Sequence, residues 1–404
     1  MLFLIDGKDE HHYSELIERV NGSSSYIPYM RSENVFDYFV NLLVALCANK
    51  NLTLLDADIS EEEMDCLRIE ATNAPKQIEK TCVASVDELI EKVFNSTSEI
   101  NLFTSGTTGQ PKKVTHSIQT LTRTVRRGAK YRNNIWAYAY NPTHMAGLQV
   151  FFQALANMNT LVNVFNGSRN YVYEAIDKWM ITHISGTPTF YRLLLPFERP
   201  FGTVERITFG GEKSDGHLYN AIQQLFPNAK VTNVYASTEA GSLFAASGDA
   251  FRMKDEVRAK VKIVDGELLI HKSLLGTSEN FEFDNGYYHS GDLIEWVDES
   301  KGLFVFKSRK NELINVGGYK VNPSEIENAV LGLEGVKQVA VYGKPNSVLG
   351  NVLCADVVLF DDSPLTPIDI RRQLGESLQD FKIPRRVKIV PYIELTRTGK
   401  QKRS

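Results

Sequence analysis

The run Leu102-Phe-Thr-Ser-Gly-Thr-Thr-Gly-Gln-Pro-Lys-Lys-Val114 is the most distinctive stretch of the chain. It interleaves hydroxyl side chains with glycines and then supplies a lysine: Thr104, Ser105, Gly106, Thr107, Thr108, Gly109 and Lys112. Glycines let backbone N–H groups converge on an anion, hydroxyls add donors, and the lysine adds a positive charge. Apolar residues alternate just before the run, so the pattern predicts a strand that enters a phosphate-binding loop. The loop is not of the Walker A type, because its glycines are too close together.

Composition narrows the possible classes of protein. The chain has 404 residues, and 45 basic residues against 49 acidic residues give a formal net charge of −4. This length fits one large core or two domains, and the balanced charge predicts no nucleic-acid partner. No apolar run reaches the ~18 residues of a membrane span, and the start of the chain does not resemble a signal peptide. The 4 cysteines lack a metal-binding spacing, so we expect reduced thiols and a cytoplasmic protein.

Hydrophobic periodicity alternates between helical and strand-like segments over most of the chain. Residues 34–49 carry apolar side chains at helical spacing, and residues 51–56 follow as a strand. After the glycine-rich run, we expect a basic-faced helix over residues 117–130 and a strand over residues 135–140. Asp265-Gly266 predicts a hairpin turn. This alternation indicates an α/β protein.

The core S-G-T-T-G-x-P-K of the glycine-rich run resembles the phosphate loop of the AMP-forming acyl and aryl adenylating enzymes. This superfamily includes acyl-CoA synthetases, aryl-CoA ligases and the adenylation domains of peptide synthetases. Five further segments resemble its motifs in the same order, so the resemblance covers about residues 100–403: residues 142–147 (P-x-x-H-x-x-G), 233–239 (N-x-Y-G-x-T-E), 288–292 (Y-x-T-G-D), 309–327 (the hinge) and 391–403 (the closing P-R-T-x-x-G-K-x-x-R). The chain departs from the family pattern at Lys113, Ala236, Ser308 and Asn311 and by a shorter closing motif.

The resemblance implies a large amino-terminal domain of layered β-sheets and helices and a small, mobile α+β carboxy-terminal domain. The boundary falls at the hinge, so residues 1–308 and 309–404 are the expected domains. Only 103 residues precede the phosphate loop, which implies an amino-terminal part shorter than is usual in the family.

The resemblance also implies roles for individual residues. Lys400 would be the catalytic lysine, His144 would lie beside the carboxylate substrate, Thr238 would donate to a phosphate, and Glu239 would bind Mg²⁺. Asp292 is expected on a loop. The phosphate loop named above would hold the phosphates, Asp292 and Arg309 the ribose, and Tyr235 the adenine. Gly211 and Glu212 would line the adenine and acyl pocket, and Gly317 and Gly318 the tunnel for the pantetheine arm.

The implied reaction is ATP-dependent activation of a small-molecule carboxylate to an acyl-adenylate, followed by thioester formation. The expected cofactors are ATP, Mg²⁺ and coenzyme A, with the phosphopantetheine of an acyl carrier protein as the alternative acceptor. Residues 141–148 contain no aspartate that could hold an ammonium group, which argues against an amino acid substrate. Three alternatives stay open: a stand-alone enzyme that loads a carrier protein, an o-succinylbenzoate-CoA ligase, and a nucleotide-binding protein that has lost catalysis.

Overall fold

The computed structural model describes residues 1–67, 69, 74–104, 112–212, 214–246, 248, 250–346, 350–397 and 399–402, and for Cys66 and Asn311 it describes only the backbone. Within these residues, no helix combines the length and the apolar character required to cross a bilayer. The thiols of Cys47, Cys82 and Cys354 are free, as the sequence predicts.

The first hundred residues pack helices around a small sheet. Their elements are β1 (Leu2–Asp6), β2 (Asp9–His12), α1 (Tyr13–Gly22), β3 (Ser25–Tyr26), β4 (Tyr29–Met30), α2 (Val35–Cys47), β5 (Leu52–Leu54), α3 (Glu61–Cys66), β6 (Lys76–Gln77), α4 (Val86–Phe94) and β7 (Glu99–Thr104). The predicted helix over residues 34–49 is α2, and it begins where the Asn34 side chain accepts a hydrogen bond from the backbone N–H of Asp37. Strand β7 pairs with β5 in parallel, so this small sheet holds one end of the glycine-rich run.

Strands and helices alternate in the central part of the chain. The elements are β8 (Lys112–Ser117), α5 (Ile118–Thr122), β9 (Ile135–Tyr138), α6 (Met145–Leu155), β10 (Thr160–Asn163), α7 (Arg169–Trp179), β11 (His183–Gly186), α8 (Pro188–Leu193), β12 (Arg206–Gly210), α9 (Gly216–Leu225) and β13 (Lys230–Ser237). Strands β1, β10, β9, β11, β12 and β13 are parallel neighbours in this order. All their carboxyl ends therefore lie at one edge of the sheet.

Consecutive residues of these parallel strands pack into different cores. Tyr138 lies in a core with helices α2 and α6, whereas its neighbour Ala137 lies in a second core with α7 and α9. Leu161 and Val162 of β10 divide in the same way. The sheet is therefore covered on both faces, as parallel sheets require.

The next segment extends the same sheet with antiparallel strands and contains one short helix, α10 (Asp255–Arg258). The strands are β14 (Gly241–Ala246), β15 (Phe251–Arg252), β16 (Val261–Val264), β17 (Glu267–His271), β18 (Phe283–Asp284), β19 (Tyr287–Asp298) and β20 (Leu303–Arg309). The predicted hairpin joins β16 to β17, and Asp265 and Gly266 both have positive φ, at 50° and 77°. Over the described residues, the complete sheet contains 14 strands.

The last hundred residues form a separate small layer. Its elements are β21 (Ile314–Val316), β22 (Tyr319–Val321), α11 (Pro323–Leu331), β23 (Val336–Asn346), β24 (Gly350–Leu359), α12 (Pro367–Leu374) and β25 (Arg386–Ile389). Strand β24 pairs with β23, β21 and β25, and the two helices pack on this sheet around a core of their own. The predicted α/β fold class, with a large sheet-rich part and a small α+β part, is confirmed.

Two local predictions are wrong. The expected helix over residues 117–130 ends at Thr122, because the backbone N–H of Arg126 donates to Gln153 Oε1 instead of to a helical carbonyl, and Gly128 has a φ of 133°. Asp292 lies on strand β19 and not on a loop, because it is paired with Arg309 of β20. Both errors come from contacts with residues that are remote in the sequence.

Candidate active site

A cavity of about 290 Å³ opens at the carboxyl ends of strands β9, β11, β12 and β13. Ligands of open parallel sheets bind at this edge, because the connecting loops and helix starts converge there. Helix α6 supplies another wall, with Met145, Gln149 and Val150. Most of the lining is apolar, and Trp136 and Tyr140 contribute aromatic rings.

Lys400 reaches this cavity from the segment that carries the closing motif (residues 391–403), called the closing segment below. Its side chain passes over Gly211, where a Cβ would lie 3.6 Å from Lys400 Cε, and Gly211 has a φ of 83°. Burial lowers the pKa of the Lys400 ammonium, while the negative charge of Glu212 acts in the opposite direction. The predicted catalytic lysine and the predicted Gly211 turn thus meet at the same cavity.

The closing segment forms hydrogen bonds with Thr187 and Glu212 on the two sides of Lys400. The hydroxyl of Thr187, the N-cap of α8, donates to the carbonyl of Gly399 at 3.1 Å. The backbone N–H of Gln401 donates to Glu212 Oε1 at 3.3 Å, and Glu212 Oε2 accepts from the backbone N–H of Thr189 at 3.0 Å. Glu212, expected to line a pocket, therefore joins the closing segment to the start of α8.

His144 lines the cavity and stands at the start of α6. Its Nε2 lies 3.1 Å from Asp56 Oδ1, which also accepts hydrogen bonds from the Thr143 hydroxyl and the Asn141 amide. Burial alone would raise the pKa of Asp56, but the contact with His144 and its charge, together with the other two donors, lower it. Asp56 is therefore an ionised carboxylate in charge contact with the imidazole, although His144 Nε2 has no partner with hydrogen-bond geometry among the described residues.

Gly147 explains the spacing of the P-x-x-H-x-x-G motif. A Cβ on Gly147 would lie 2.2 Å from the carbonyl oxygen of Asn141 and 2.9 Å from the Tyr138 hydroxyl. Only glycine lets α6 approach the turn that carries His144 so closely. Sequence reasoning missed Asp56, and the available signal was its position two residues after the end of the short strand β5.

Asp292 and Arg309 face each other across strands β19 and β20. Arg309 Nε donates to Asp292 Oδ1 at 2.7 Å, and the Tyr235 hydroxyl donates to Asp292 Oδ2 at 2.5 Å. Burial lowers the pKa of Arg309, but the charge and hydrogen bond of Asp292, together with the charges of Tyr235 and Glu312, raise it overall and hold the guanidinium protonated. One face of the Tyr235 ring stacks on Phe306, with centroids 4.3 Å apart. The three residues predicted to bind the nucleoside are therefore in contact.

Thr238 and Glu239 follow strand β13 and are held through their backbone. His116 Nε2 lies 2.7 Å from the carbonyl oxygen of Thr238, and the backbone N–H of Gly276 donates to the carbonyl of Glu239 at 2.8 Å. The Arg123 guanidinium donates to the next carbonyl, that of Ala240, at 2.5 Å. Burial lowers the pKa of His116 to about 4, so the ring is neutral at pH 7 and Nε2–H can donate. The sequence analysis did not identify His116 or Arg123 as supports of this turn.

The Glu239 side chain has the properties of a Mg²⁺ ligand. Among the described residues, none forms a hydrogen bond or ion pair with its carboxylate, and no cluster of three metal-binding side chains is present. Mg²⁺ commonly takes one or two carboxylates and completes its coordination with water and substrate phosphates. A single carboxylate next to Thr238, which lines the cavity, fits this donor set.

The other predicted site residues either fall outside the described residues or do not line the cavity. Ser105, Gly106, Thr107, Thr108 and Gly109, and the side chain of the hinge residue Asn311, lie outside the described residues. Thr104 and Lys112, the first and the last of the predicted phosphate-loop residues, are paired with each other across strands β7 and β8. Gly317 and Gly318 form the exposed tip of the β21–β22 hairpin, with φ of 58° and 91°, and do not line the cavity.

Comparisons with known proteins agree with this arrangement. The family model of the AMP-binding enzymes matches residues 44–267, and that of the AMP-binding enzyme C-terminal domain matches residues 325–400. The 2-succinylbenzoate–CoA ligase of Staphylococcus epidermidis is 25% identical over 97% of this chain and 91% of that protein. The long-chain-fatty-acid–CoA ligase FadD13 of Mycobacterium tuberculosis is 26% identical over 78% of this chain and 68% of that protein.

Two solved structures share the fold along nearly the whole chain. ATP-bound MatB from Rhodopseudomonas palustris has a TM-score of 0.74 at 18% identity, and the match covers 99% of this chain and 94% of MatB. The o-succinylbenzoate coenzyme A synthetase of Bacillus subtilis, in complex with ATP and a magnesium ion, has a TM-score of 0.75 at 18% identity. The match covers 100% of this chain and 95% of the synthetase. The predicted superfamily and the predicted class of AMP-forming acid–thiol ligase are confirmed. The chain belongs to the AMP-binding enzyme family.

Proposed function

We propose that the enzyme uses ATP to convert a carboxylic acid to an acyl-adenylate and then transfers the acyl group to coenzyme A. The observation that best supports this reaction is the convergence of Lys400 and His144 on one cavity at the carboxyl ends of the parallel strands. A cation that lines a cavity can stabilise the negative charge that develops when a carboxylate attacks the α-phosphate. A plain nucleotide-binding protein has no need for that cation.

For the adenylation step, we assign the charged groups by their position. Lys400 bridges the attacking carboxylate and the α-phosphate. Thr104 and Lys112, with Ser105, Gly106, Thr107, Thr108 and Gly109 between them, hold the β- and γ-phosphates. Asp292 accepts the ribose hydroxyls, because its carboxylate lies between Arg309 and Tyr235 and can exchange the tyrosine hydroxyl for a substrate hydroxyl. The adenine lies along Tyr235 and the Gly211 turn.

Glu239 is the proposed protein ligand of Mg²⁺, and Thr238 donates to a phosphate oxygen beside it. The ion, when bound, neutralises charge on the phosphate oxygens. His116 and Arg123 hold the carbonyls on either side of the Glu239 peptide, so the carboxylate is carried by a rigid turn.

For the second step, we propose that residues 309–404 move as a domain relative to residues 1–308. Lys400 is half-buried where it reaches the cavity, whereas the Gly317–Gly318 tip is exposed. This arrangement suits adenylation. A rotation about Arg309–Glu312 would withdraw Lys400 and bring the glycine tip towards the adenylate, where glycines permit close approach of a pantetheine arm. The phosphopantetheine of a carrier protein is the alternative thiol.

The cavity supports an aromatic acid as the substrate class. Its volume of about 290 Å³ and its mostly apolar lining, which includes Trp136 and Tyr140, suit a compact ring system. Because one relative is a 2-succinylbenzoate–CoA ligase and another acts on long-chain fatty acids, 2-succinylbenzoate is the first acid to test and a long-chain acid is the contrast.

The test is carboxylate-dependent release of pyrophosphate from ATP and Mg²⁺ across benzoic, 2-succinylbenzoic and long-chain acids. We expect release with the aromatic acids, and a thioester when coenzyme A is added. Release only with long-chain acids would contradict the substrate class. Acyl transfer to a holo carrier protein but not to coenzyme A would contradict the proposed acceptor. An enzyme that binds ATP but releases no pyrophosphate with any acid would contradict the reaction itself.

A further inference from the structure

Arg397, three residues before Lys400, makes the most extensive charged contact of the closing segment. Its two terminal nitrogens donate to both carboxylate oxygens of Glu63, at 2.8 and 3.0 Å. Its Nε lies 2.9 Å from Asp58 Oδ1, and one terminal nitrogen also donates to the carbonyl of Asp58 at 3.2 Å. The guanidinium is thus held in a bidentate pair with Glu63 and by a second carboxylate.

The receiving carboxylate is itself held in place. Glu63 belongs to the first turn of α3, where it forms a capping box: Glu63 Oε2 accepts from the backbone N–H of Ser60, and the Ser60 hydroxyl accepts from the backbone N–H of Glu63. The bonds from Arg397, followed by the bond from Ser60, lower the pKa of Glu63 to about 2. The carboxylate is therefore ionised and oriented at pH 7.

The same arginine contacts the polar cluster of Asp56 and Asn141 beside His144. Asn141 Nδ2 lies 3.5 Å from the carbonyl oxygen of Arg397 and 2.9 Å from Asp56 Oδ1, and Arg397 Nε lies 4.0 Å from Asp56 Oδ2. The His144 side of the cavity, helix α3 and the segment that carries Lys400 are therefore joined at Arg397.

We propose that Arg397 is a positioning residue that docks the closing segment on Glu63 and Asp58 and thereby places Lys400 for adenylation, a role that rests on the proposed function. The contact is about one-third exposed, with side-chain exposures of 34% for Arg397 and 36% for Glu63, so it adds little to global stability. Its value lies in geometry, because a bidentate arginine–carboxylate pair fixes both distance and orientation. In the thioester step Lys400 must leave the cavity, so the same contact is expected to open.

This proposal predicts that the two half-reactions respond differently to loss of Arg397. In Arg397→Ala, carboxylate-dependent ATP–pyrophosphate exchange should fall by about 10- to 100-fold, because a displacement of about 1 Å at the reacting groups can cost that much. Transfer from synthetic acyl-adenylate to coenzyme A should stay within about twofold of wild type. Arg397→Lys should remain impaired, since an ammonium cannot form the bidentate pair.

A matched control lies in the same segment. Lys402 pairs with Glu394 at 3.1 Å in an exposed ion pair, so Lys402→Ala removes a basic side chain near Lys400 without affecting the contact of Arg397 with Glu63 and Asp58. The double variant Glu63→Arg with Arg397→Glu reverses the charges of the pair. It should recover part of the exchange activity lost in Arg397→Glu alone.

The outcomes separate the two proposals. Normal exchange in Arg397→Ala would overturn the positioning role, and so would an equal loss in both half-reactions together with a lower Tm, because that pattern indicates general destabilisation. Wild-type enzyme that is silent in both half-reactions would overturn the proposed function, and with it this role.

Discussion

Replacing Glu212 by glutamine tests how the closing segment presents Lys400. The two carboxylate oxygens of Glu212 accept backbone N–H groups from Thr189, at 3.0 Å, and from Gln401, at 3.3 Å. Glutamine keeps one acceptor oxygen and turns an NH₂ group towards the other N–H, so one charge-assisted bond is lost. Such a bond contributes about 1.5–3 kcal/mol.

The loss of this bond should weaken the docking of the closing segment beside the cavity. Since about 1.4 kcal/mol corresponds to a factor of ten in an equilibrium, the docked fraction should fall by about 10- to 100-fold relative to the undocked state. If docking limits the first step, ATP–pyrophosphate exchange falls by up to the same factor, while thioester formation from supplied acyl-adenylate is unchanged.

The same variant also shifts the pH dependence in a defined direction. Burial lowers the pKa of Lys400 and the charge of Glu212 opposes this effect. Removing that charge should lower the pKa further, so the protonated lysine is lost at a lower pH. The alkaline limb of the exchange rate should therefore move to lower pH in Glu212→Gln.

The assay is exchange activity against pH for wild type, Glu212→Gln and Glu205→Gln, the last being an exposed glutamate of the same domain. The control should match wild type. An unchanged rate and an unchanged alkaline limb in Glu212→Gln would refute the assigned role of Glu212. An alkaline limb shifted to higher pH would refute the electrostatic argument, because its sign would be reversed.

Two further predictions concern the turn that carries His144 and the metal ligand. Gly147→Ala should lower the free energy of unfolding by about 1–3 kcal/mol, because its Cβ would lie 2.2 Å from the Asn141 carbonyl oxygen; urea denaturation measures this, and Gly22→Ala, with open space around its Cβ, should change it little. Equal stabilities would contradict the packing argument. Glu239→Gln should raise the Mg²⁺ concentration required for half-maximal pyrophosphate release by at least about tenfold, since a neutral amide is a weaker ligand for a hard cation; an unchanged Mg²⁺ dependence would exclude Glu239 as the ligand.

Sequence patterns predicted the parts of the fold that local interactions decide. Helix α2 follows from its apolar spacing and its Asn34 cap, and the β16–β17 hairpin follows from Asp265-Gly266, where both residues adopt positive φ. The resemblance to a known family supplied most of the remaining site, and Lys400, His144 and Gly211 do meet at one cavity.

Long-range contacts explain what sequence reasoning missed. Asp56 reaches His144 across 88 positions of the chain, and Arg397 reaches Glu63 across 334, so no local spacing reveals either pair. The short α5 has a similar cause, since the backbone N–H of Arg126 bonds to the remote Gln153 instead of extending the helix. Tertiary contacts override helix propensity at such positions.

The most direct measurement of the central claim compares both half-reactions in wild type and Lys400→Ala. If Lys400 stabilises charge only in the adenylation step, its removal should lower ATP–pyrophosphate exchange by about 10²–10³-fold. Transfer of the acyl group from supplied acyl-adenylate to coenzyme A should stay close to wild type. Exchange that survives the substitution, or a thioester step that falls with it to the same extent, would contradict the account.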